Sequence, residues 1–127
     1  MTRLFVYGTL MHGESNHAAL AGSRCLGTAR TRAAFTLHDL GAYPALAAGG
    51  SLTVAGELYE VAGDALAAID RLEGHPFWFR REPVVLDDGT DAEAYLVALR
   101  RLEGRPVIAS GSWRERGAGG TKRRQGS

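Results

Sequence analysis

The sequence has little cysteine and no long apolar run, and both absences narrow the classes of protein it can encode. Its 127 residues include a single cysteine, Cys25, which excludes a disulfide framework and a zinc site built on cysteines. We expect Cys25 to be a small core residue. No apolar run reaches the roughly 18 residues that a membrane span needs, and no signal-peptide pattern opens the chain. The sequence therefore predicts a cytoplasmic protein without a membrane partner.

Positive charge is scarce outside the C-terminal residues. Residues 114–127 hold five basic residues and one acidic residue, so residues 1–113 hold 10 basic and 13 acidic residues and carry a net charge of −3. A nucleic-acid-binding domain usually shows a basic face on its folded part, so we expect no nucleic-acid partner. The composition predicts one domain over residues 1–113, followed by a basic, disordered tail over residues 114–127.

The pattern of apolar residues predicts an α+β domain. Segments with strand-like composition or alternation are residues 4–7, 26–37, 54–61, 81–86, 93–99 and 106–110. Residues 39–50 contain several glycines and are predicted to form a long ordered loop. A short helix is predicted over residues 64–73, capped by Asp64 and ended by Gly74. Because strands outnumber helices, we predict an α+β fold with a small mixed, barrel-like sheet and a few short helices.

A near-repeat of Arg-Leu-Glu-Gly, at residues 71–74 and 101–104, raises the question of which glutamate is chemically active. Glu73 follows Leu66 and Ile69 at the spacing that places all three on one helix face. That face must pack on the sheet, so the carboxylate is partly desolvated, which raises its pKa. The negative end of the helix dipole acts in the same direction. Glu73 is therefore a candidate general acid or base.

Position alone leaves a second interpretation of Glu73 open, in which it is a glutamate at a fraying helix end. In that case its carboxylate pairs with Arg71, Arg80 or Arg81. Glu103 has a different setting, because it follows a strand-like run and has arginines around it. We expect Glu103 to be a solvated carboxylate in a turn.

The first predicted strand ends in Tyr7-Gly8-Thr9-Leu10 and leads into a glycine-containing loop. Backbone N–H groups at a strand end can hold a carboxylate or an oxyanion, and glycine lets a ligand approach closely. The stretch matches neither a Walker loop nor a dinucleotide-binding motif. The four histidines are scattered without metal-ligand spacing, so we expect no metal site and no cofactor.

Taken in chain order, five segments together resemble the γ-glutamylcyclotransferase-like family. These segments are Phe5-Val6-Tyr7-Gly8-Thr9-Leu10-Met11-His12-Gly13 with Asn16-His17, Leu40-Gly41-Ala42-Tyr43-Pro44-Ala45-Leu46, Val54-Ala55-Gly56-Glu57-Leu58-Tyr59, Ile69-Asp70-Arg71-Leu72-Glu73-Gly74-His75-Pro76 and Ser110-Gly111-Ser112-Trp113. The compact size is most similar to the γ-glutamylamine cyclotransferase, or AIG2-like, branch.

The resemblance implies release of 5-oxoproline from a small γ-glutamyl amine or amino acid, by attack of the substrate's α-amine on its own γ-carbonyl. Glu73 would be the general acid/base, and the residues that hold the substrate would be Tyr7, Gly8, Thr9, Leu10 and Tyr43. Phe79 stands where relatives often have tyrosine, which removes a hydroxyl. The protein is expected to be a monomer or a homodimer.

Two alternatives remain within this resemblance. One is a cyclotransferase that removes a γ-glutamyl group from a biosynthetic intermediate, including a carrier-bound one. The other is a binding module of the same fold that holds γ-glutamyl ligands without turnover. Such a module has no reason to keep a carboxylate at position 73.

Overall fold

The computed structural model describes residues 1–117, which form a mixed sheet, one α-helix and short 3-10 helices. The strands are β1 (Thr2–Val6), β2 (Arg24–Arg30), β3 (Phe35–Asp39), β4 (Pro44–Ala48), β5 (Ala55–Val61), β6 (Arg80–Val85) and β7 (Asp91–Leu96). The helix α1 is Gly63–Glu73, and the 3-10 helices are His17–Leu20, Leu99–Leu102 and Trp113–Glu115. Across these 117 residues, no helix has both the length and the apolarity that crossing a membrane requires.

The sheet branches at β7. Its main strand order is β2-β5-β1-β7-β4-β3, and β6 also pairs with β7. Because the antiparallel partner β6 occupies one edge of β7, the parallel partners β1 and β4 share the other edge, with Leu4 opposite Glu93 and Leu46 opposite Leu96. The chain segments at the end of β1 and the start of β4 therefore come together where these two strands diverge.

The sheet curls but does not close into a barrel. The ends of β2 and β6 meet at an isolated bridge between Thr31 and Leu86, flanked by a hydrogen bond of 2.9 Å from the Asp87 amide to the Arg30 carbonyl. The two strands do not pair along their length, so the expected barrel-like sheet is an open, curled one. The α+β class is confirmed.

Helix α1 packs its apolar stripe against this sheet, as its sequence predicts. Leu66 is 7% exposed and Ile69 is fully buried. The helix ends at Gly74, whose φ of 71° is the left-handed conformation that glycine adopts at little cost. The prediction that Asp64 caps the helix was wrong: the N-cap is Ala62, and Asp64 lies in the first turn with its Oδ1 accepting from the Ala65 amide.

The predictions for residues 39–50 and for residues 106–110 were also wrong. The predicted loop over residues 39–50 contains strand β4, whose alanine-rich sequence shows little strand propensity but whose small side chains fit between β3 and β7. The predicted strand near residues 106–110 is absent from the described structure; Val107 makes one isolated bridge, to His38.

Cys25 and the first residues of the expected tail also differ from prediction. Cys25 is exposed, because β2 ends the sheet order and its pairing is interrupted by a bulge after this residue. Arg114 and Glu115 continue the 3-10 helix from the buried Trp113, within the four described residues of the expected tail. Residues 118–127 of the expected tail lie outside the described residues.

Candidate active site

A cavity of about 350 Å³ lies between the loop after β1, the loop before β4 and the C-terminal end of α1. All six residues expected at the site line it: Tyr7, Gly8, Thr9, Leu10, Tyr43 and Glu73. The remaining wall includes Ser15, Asn16, Leu72, Trp78, Phe79 and Tyr95. Among these described lining residues there is no lysine, arginine or histidine, so Glu73 supplies the formal charge of the cavity.

Glu73 is the last residue of α1, and the chain reverses directly after it. The reversal is a Schellman motif: the Gly74 amide donates to the Arg71 carbonyl at 3.2 Å, and the His75 amide donates to the Asp70 carbonyl at 2.9 Å. Glu73 lies one turn beyond the fully buried Ile69, so its side chain leaves the packed face of the helix at the cavity wall. Burial raises the pKa of the Glu73 carboxyl to about 7.

The ion pair that would have explained Glu73 as a helix-end glutamate is not formed in the described structure. Arg81 instead donates from Nε to Asp70 Oδ1 at 3.0 Å and contacts Glu93 through Nη1. The Tyr95 hydroxyl donates to the same Asp70 oxygen at 2.6 Å. Burial alone would raise the pKa of Asp70, but the hydrogen bonds from Arg81 and Tyr95 outweigh it and lower this pKa. Asp70 is therefore the ionised, structural carboxylate of α1.

The Tyr7 hydroxyl is hydrogen-bonded within the sheet, although Tyr7 lines the cavity. It donates to the Tyr95 carbonyl at 2.6 Å and accepts from the Leu46 amide at 3.3 Å, so it bridges β7 and β4 near their branch point. Burial raises the pKa of this hydroxyl. The sequence resemblance placed Tyr7 with the substrate-holding residues, and these contacts show that its hydroxyl is already paired within the protein.

The loop after β1 presents unpaired backbone donors. Within residues 1–117, the amides of Gly8, Thr9 and Leu10 donate no hydrogen bond to another protein group, whereas the carbonyls of all three accept one. The Asn16 amide donates to the Thr9 carbonyl at 2.8 Å, and the Asn16 side chain donates to Thr9 Oγ1 at 3.0 Å. Unpaired amides on cavity-lining residues are suited to bind a carboxylate or an oxyanion.

The position of this loop depends on glycine at residue 8. A Cβ added to Gly8 would lie 2.6 Å from Cγ of Pro44, the first residue of β4. Real contacts of this kind are never so short, so any other residue would push the loop away from β4. Glycine therefore allows the two sides of the cavity to meet.

Aromatic side chains form another part of the cavity wall. Trp78 Nε1 donates to the Tyr43 hydroxyl at 3.1 Å, and the buried Phe79 ring lies 5.9 Å from the Tyr43 ring. Phe79 belongs to the core at 4% exposure, whereas Phe77 is 85% exposed. The hydroxyl that Phe79 lacks would have added one polar group to this wall.

The sequence interpretation missed a polar cluster that contacts the loop after β1. Glu57 is 8% exposed; it accepts from the His12 amide at 2.8 Å, the Tyr59 hydroxyl at 2.9 Å and Arg114 Nη1 at 3.3 Å. Burial alone would raise the pKa of Glu57, but these hydrogen bonds outweigh it and lower the pKa. Arg114 also contacts Glu14 and the His12 carbonyl. The sequence did contain one indication of this cluster: strand alternation places Glu57 and Tyr59 on one face of β5.

The architecture and the cavity define a class of small α+β proteins. A solved uropathogenic E. coli-specific protein, c4763, superposes with a TM-score of 0.79 at 28% identity, over 90% of this chain and 93% of that one. An AIG2-like protein from mouse superposes with a TM-score of 0.78 at 24% identity, over 98% and 99% of the two chains.

The chain belongs to the family described as gamma-glutamyl cyclotransferase, AIG2-like, whose model matches residues 4–115. A Vibrio cholerae protein named "Putative gamma-glutamylcyclotransferase" is 42% identical over 113 residues, which are 89% of this chain and 96% of that one. A cyclotransferase of Niallia circulans, named for γ-L-glutamyl-butirosin B, is 45% identical over 74 residues, which are 58% of this chain and 46% of that one.

Proposed function

We propose that the protein releases 5-oxoproline from small γ-glutamyl compounds, with Glu73 as the general acid/base. The observation that carries this proposal is the partly buried Glu73 carboxyl in the cavity wall, with a pKa raised to about 7 and no ion-pair partner among the described residues. The substrate's α-amine attacks its own γ-carbonyl, so the protein needs to supply orientation and proton transfer rather than a nucleophile.

The raised pKa suits the proton transfer that this reaction requires. An ordinary glutamate near pKa 4.3 is mismatched by about 3.7 units with an α-ammonium near 8. At a pKa of about 7, the mismatch falls to about one unit, equivalent to about 1.4 kcal/mol. Glu73 can then take a proton from the ammonium and return it to the leaving amine.

The loop after β1 supports the same chemistry from the other side of the cavity. Attack on the γ-carbonyl places negative charge on its oxygen, and the unpaired amides of Gly8, Thr9 and Leu10 are the donors available to stabilise it. The substrate's α-carboxylate needs similar donors, because the described lining residues include no cationic side chain. Tyr43, on the aromatic wall, completes the proposed substrate-binding set.

The binding-module alternative explains Glu73 poorly. A carboxylate whose pKa is raised by burial destabilises the folded protein at neutral pH, and a protein that only binds ligand gains nothing in return. A local loss of folding stability of this kind is typical of functional sites.

A second candidate function is removal of a γ-glutamyl group from a biosynthetic intermediate. The similarity to the Niallia circulans protein named for γ-L-glutamyl-butirosin B favours it. The reaction and the role of Glu73 would be the same, and the leaving amine would be larger.

The test is a 5-oxoproline assay by mass spectrometry on γ-glutamyl amino acids, γ-glutamyl-ε-lysine and a γ-glutamyl alkylamine. We expect the wild type to release 5-oxoproline and Glu73→Gln to lose at least about a hundredfold in kcat, as is usual on removal of a general base. Glu103→Gln is the matched control, because it changes the exposed glutamate of the near-repeat and should leave turnover intact. Full activity of a folded Glu73→Gln variant would contradict the mechanism.

A further inference from the structure

Arg101 is an exposed residue that stacks on Trp78, part of the aromatic wall of the cavity. Its guanidinium carbon is 4.6 Å from the ring centroid of Trp78, which lines the cavity. Its Nη1 donates to the Phe77 carbonyl at 2.9 Å. A guanidinium over an indole face is a favourable cation–π arrangement. Two contacts therefore hold a positive charge next to a cavity whose own described lining residues include no cationic side chain.

The rim at Trp78 is on the open side of the cavity. The inner end is closed by side chains of the sheet, among them the buried Phe5, Tyr7 and Tyr95. The outer wall reaches solvent, because Leu72 is 49% exposed and Trp78 is half-buried. When the γ-carbonyl of a substrate lies between Glu73 and the loop after β1, the leaving amine can extend toward this mouth.

We propose that Trp78 and Arg101 form a subsite for the leaving amine, and that Arg101 favours leaving amines that carry a carboxylate. This proposal rests on the proposed function and names its substrate class: γ-glutamyl compounds of amino acids rather than of simple alkylamines. A guanidinium has five N–H donors, and Arg101 uses one on the Phe77 carbonyl, which leaves others free to bind a carboxylate.

The indole of Trp78 gives the subsite a fixed apolar surface. Its Nε1 donates to the Tyr43 hydroxyl at 3.1 Å, which holds the edge of the ring, while the Phe79 ring packs against it at 6.1 Å. The side chain of the leaving amino acid can lie on this surface while its carboxylate faces Arg101. Arg101 does not touch the reacting atoms, so it is a specificity residue.

The test compares γ-glutamyl-L-phenylalanine with γ-glutamyl-phenethylamine, which differ by one carboxylate on the leaving amine. We expect the wild type to prefer the first substrate by about tenfold in kcat/KM, mainly through KM, as fits one partly exposed charged hydrogen bond. Arg101→Gln should remove most of this preference, with the loss in kcat/KM falling mainly on γ-glutamyl-L-phenylalanine. Arg100→Gln, a change at the exposed preceding residue of the same 3-10 helix, is the matched control and should keep the preference.

The outcomes separate this proposal from the proposed function. Equal turnover of the two substrates by the wild type overturns the subsite and leaves the cyclotransferase function standing. An equal loss on both substrates in Arg101→Gln also overturns it, because Arg101 would then act on the shared γ-glutamyl group or on the fold. If the wild type releases no 5-oxoproline from any substrate, including the panel above, both proposals fail. Rising ionic strength should shrink the wild-type preference, since the contact is between exposed charges.

Discussion

Among single residues, Glu73 carries a thermodynamic cost that depends on pH. Burial raises the pKa of its carboxyl from 4.5 to about 7, so the folded state binds a proton more tightly than the unfolded state. Stability is therefore lost as pH rises from about 4.5 through about 7, where the buried group must ionise. Below pH 4.5 the group is protonated in both states, and the cost disappears.

We therefore predict that Glu73→Gln is more stable than the wild type at pH 8 and close to it at pH 4.5. Glutamine keeps the size of the side chain and removes the ionisation, so the expected gain at pH 8 is about 1–3 kcal/mol in the free energy of unfolding. Denaturant unfolding of both proteins at the two pH values measures it. Glu103→Gln, the same substitution at an exposed site, is the matched control. A constant difference between Glu73→Gln and wild type across this range would contradict the desolvation argument.

At the scale of elements, the loop after β1 owes its position to the C-terminal 3-10 helix. Arg114, in Trp113–Glu115, contacts the His12 carbonyl and Glu14 in the loop and Glu57 in β5. Trp113 anchors this helix in the core at 3% exposure. The 3-10 helix Trp113–Glu115 therefore fixes the position of the loop that presents the proposed oxyanion donors.

Removing this contact should loosen the loop without removing any proposed catalytic group. We predict that Arg114→Ala raises KM for γ-glutamyl substrates several-fold, with a smaller change in kcat, because substrate binding must then order the loop. It should also lower the free energy of unfolding by about 1–2 kcal/mol, since Glu57 loses Arg114, the charged member of its three described partners.

Steady-state kinetics and denaturant unfolding measure both effects. Arg116→Ala is the matched control: Arg116 stacks on Trp113 at 3.7 Å, and its hydrogen bond goes to the Trp113 carbonyl rather than to the loop. Arg114→Lys keeps the charge and should recover part of the wild-type KM. A loss of stability with no change in KM would show that Arg114 is structural and does not position the loop.

At the scale of the whole molecule, the sequence was sufficient to predict the elements whose apolar residues recur with a clear period. The strand β5, the hairpin of β6 and β7, and helix α1 with its end at Gly74 are present close to their predicted bounds. Strand β4 was missed, because its alanines and proline carry no strand signal of their own. Its extended conformation is imposed by pairing with β3 and β7, and this pairing depends on the tertiary fold rather than on the local sequence.

The candidate site was predictable to a similar extent. Helical spacing placed Glu73 on the packed face of α1, and the structure places it in the cavity wall. The pairing of the Tyr7 hydroxyl with two strands was not predictable, because it depends on where β1 and β4 diverge. The contacts of Arg114 and Arg101 depend likewise on segments far apart in sequence.

The proposed function depends on one cavity carboxyl, that of Glu73, being half-ionised near neutral pH. The most direct measurement is an NMR pH titration of the full chain labelled with ¹³C at the glutamate side-chain carboxyl, with the Glu73 signal assigned by its absence in Glu73→Gln. We predict a midpoint of about 7 for Glu73. The Glu103→Gln variant, changed at an exposed glutamate, is the control and should leave the Glu73 titration curve unchanged. A Glu73 midpoint in the ordinary glutamate range would contradict the proposed role of Glu73, because the cavity would then hold a carboxylate too weakly basic for the proposed proton transfer.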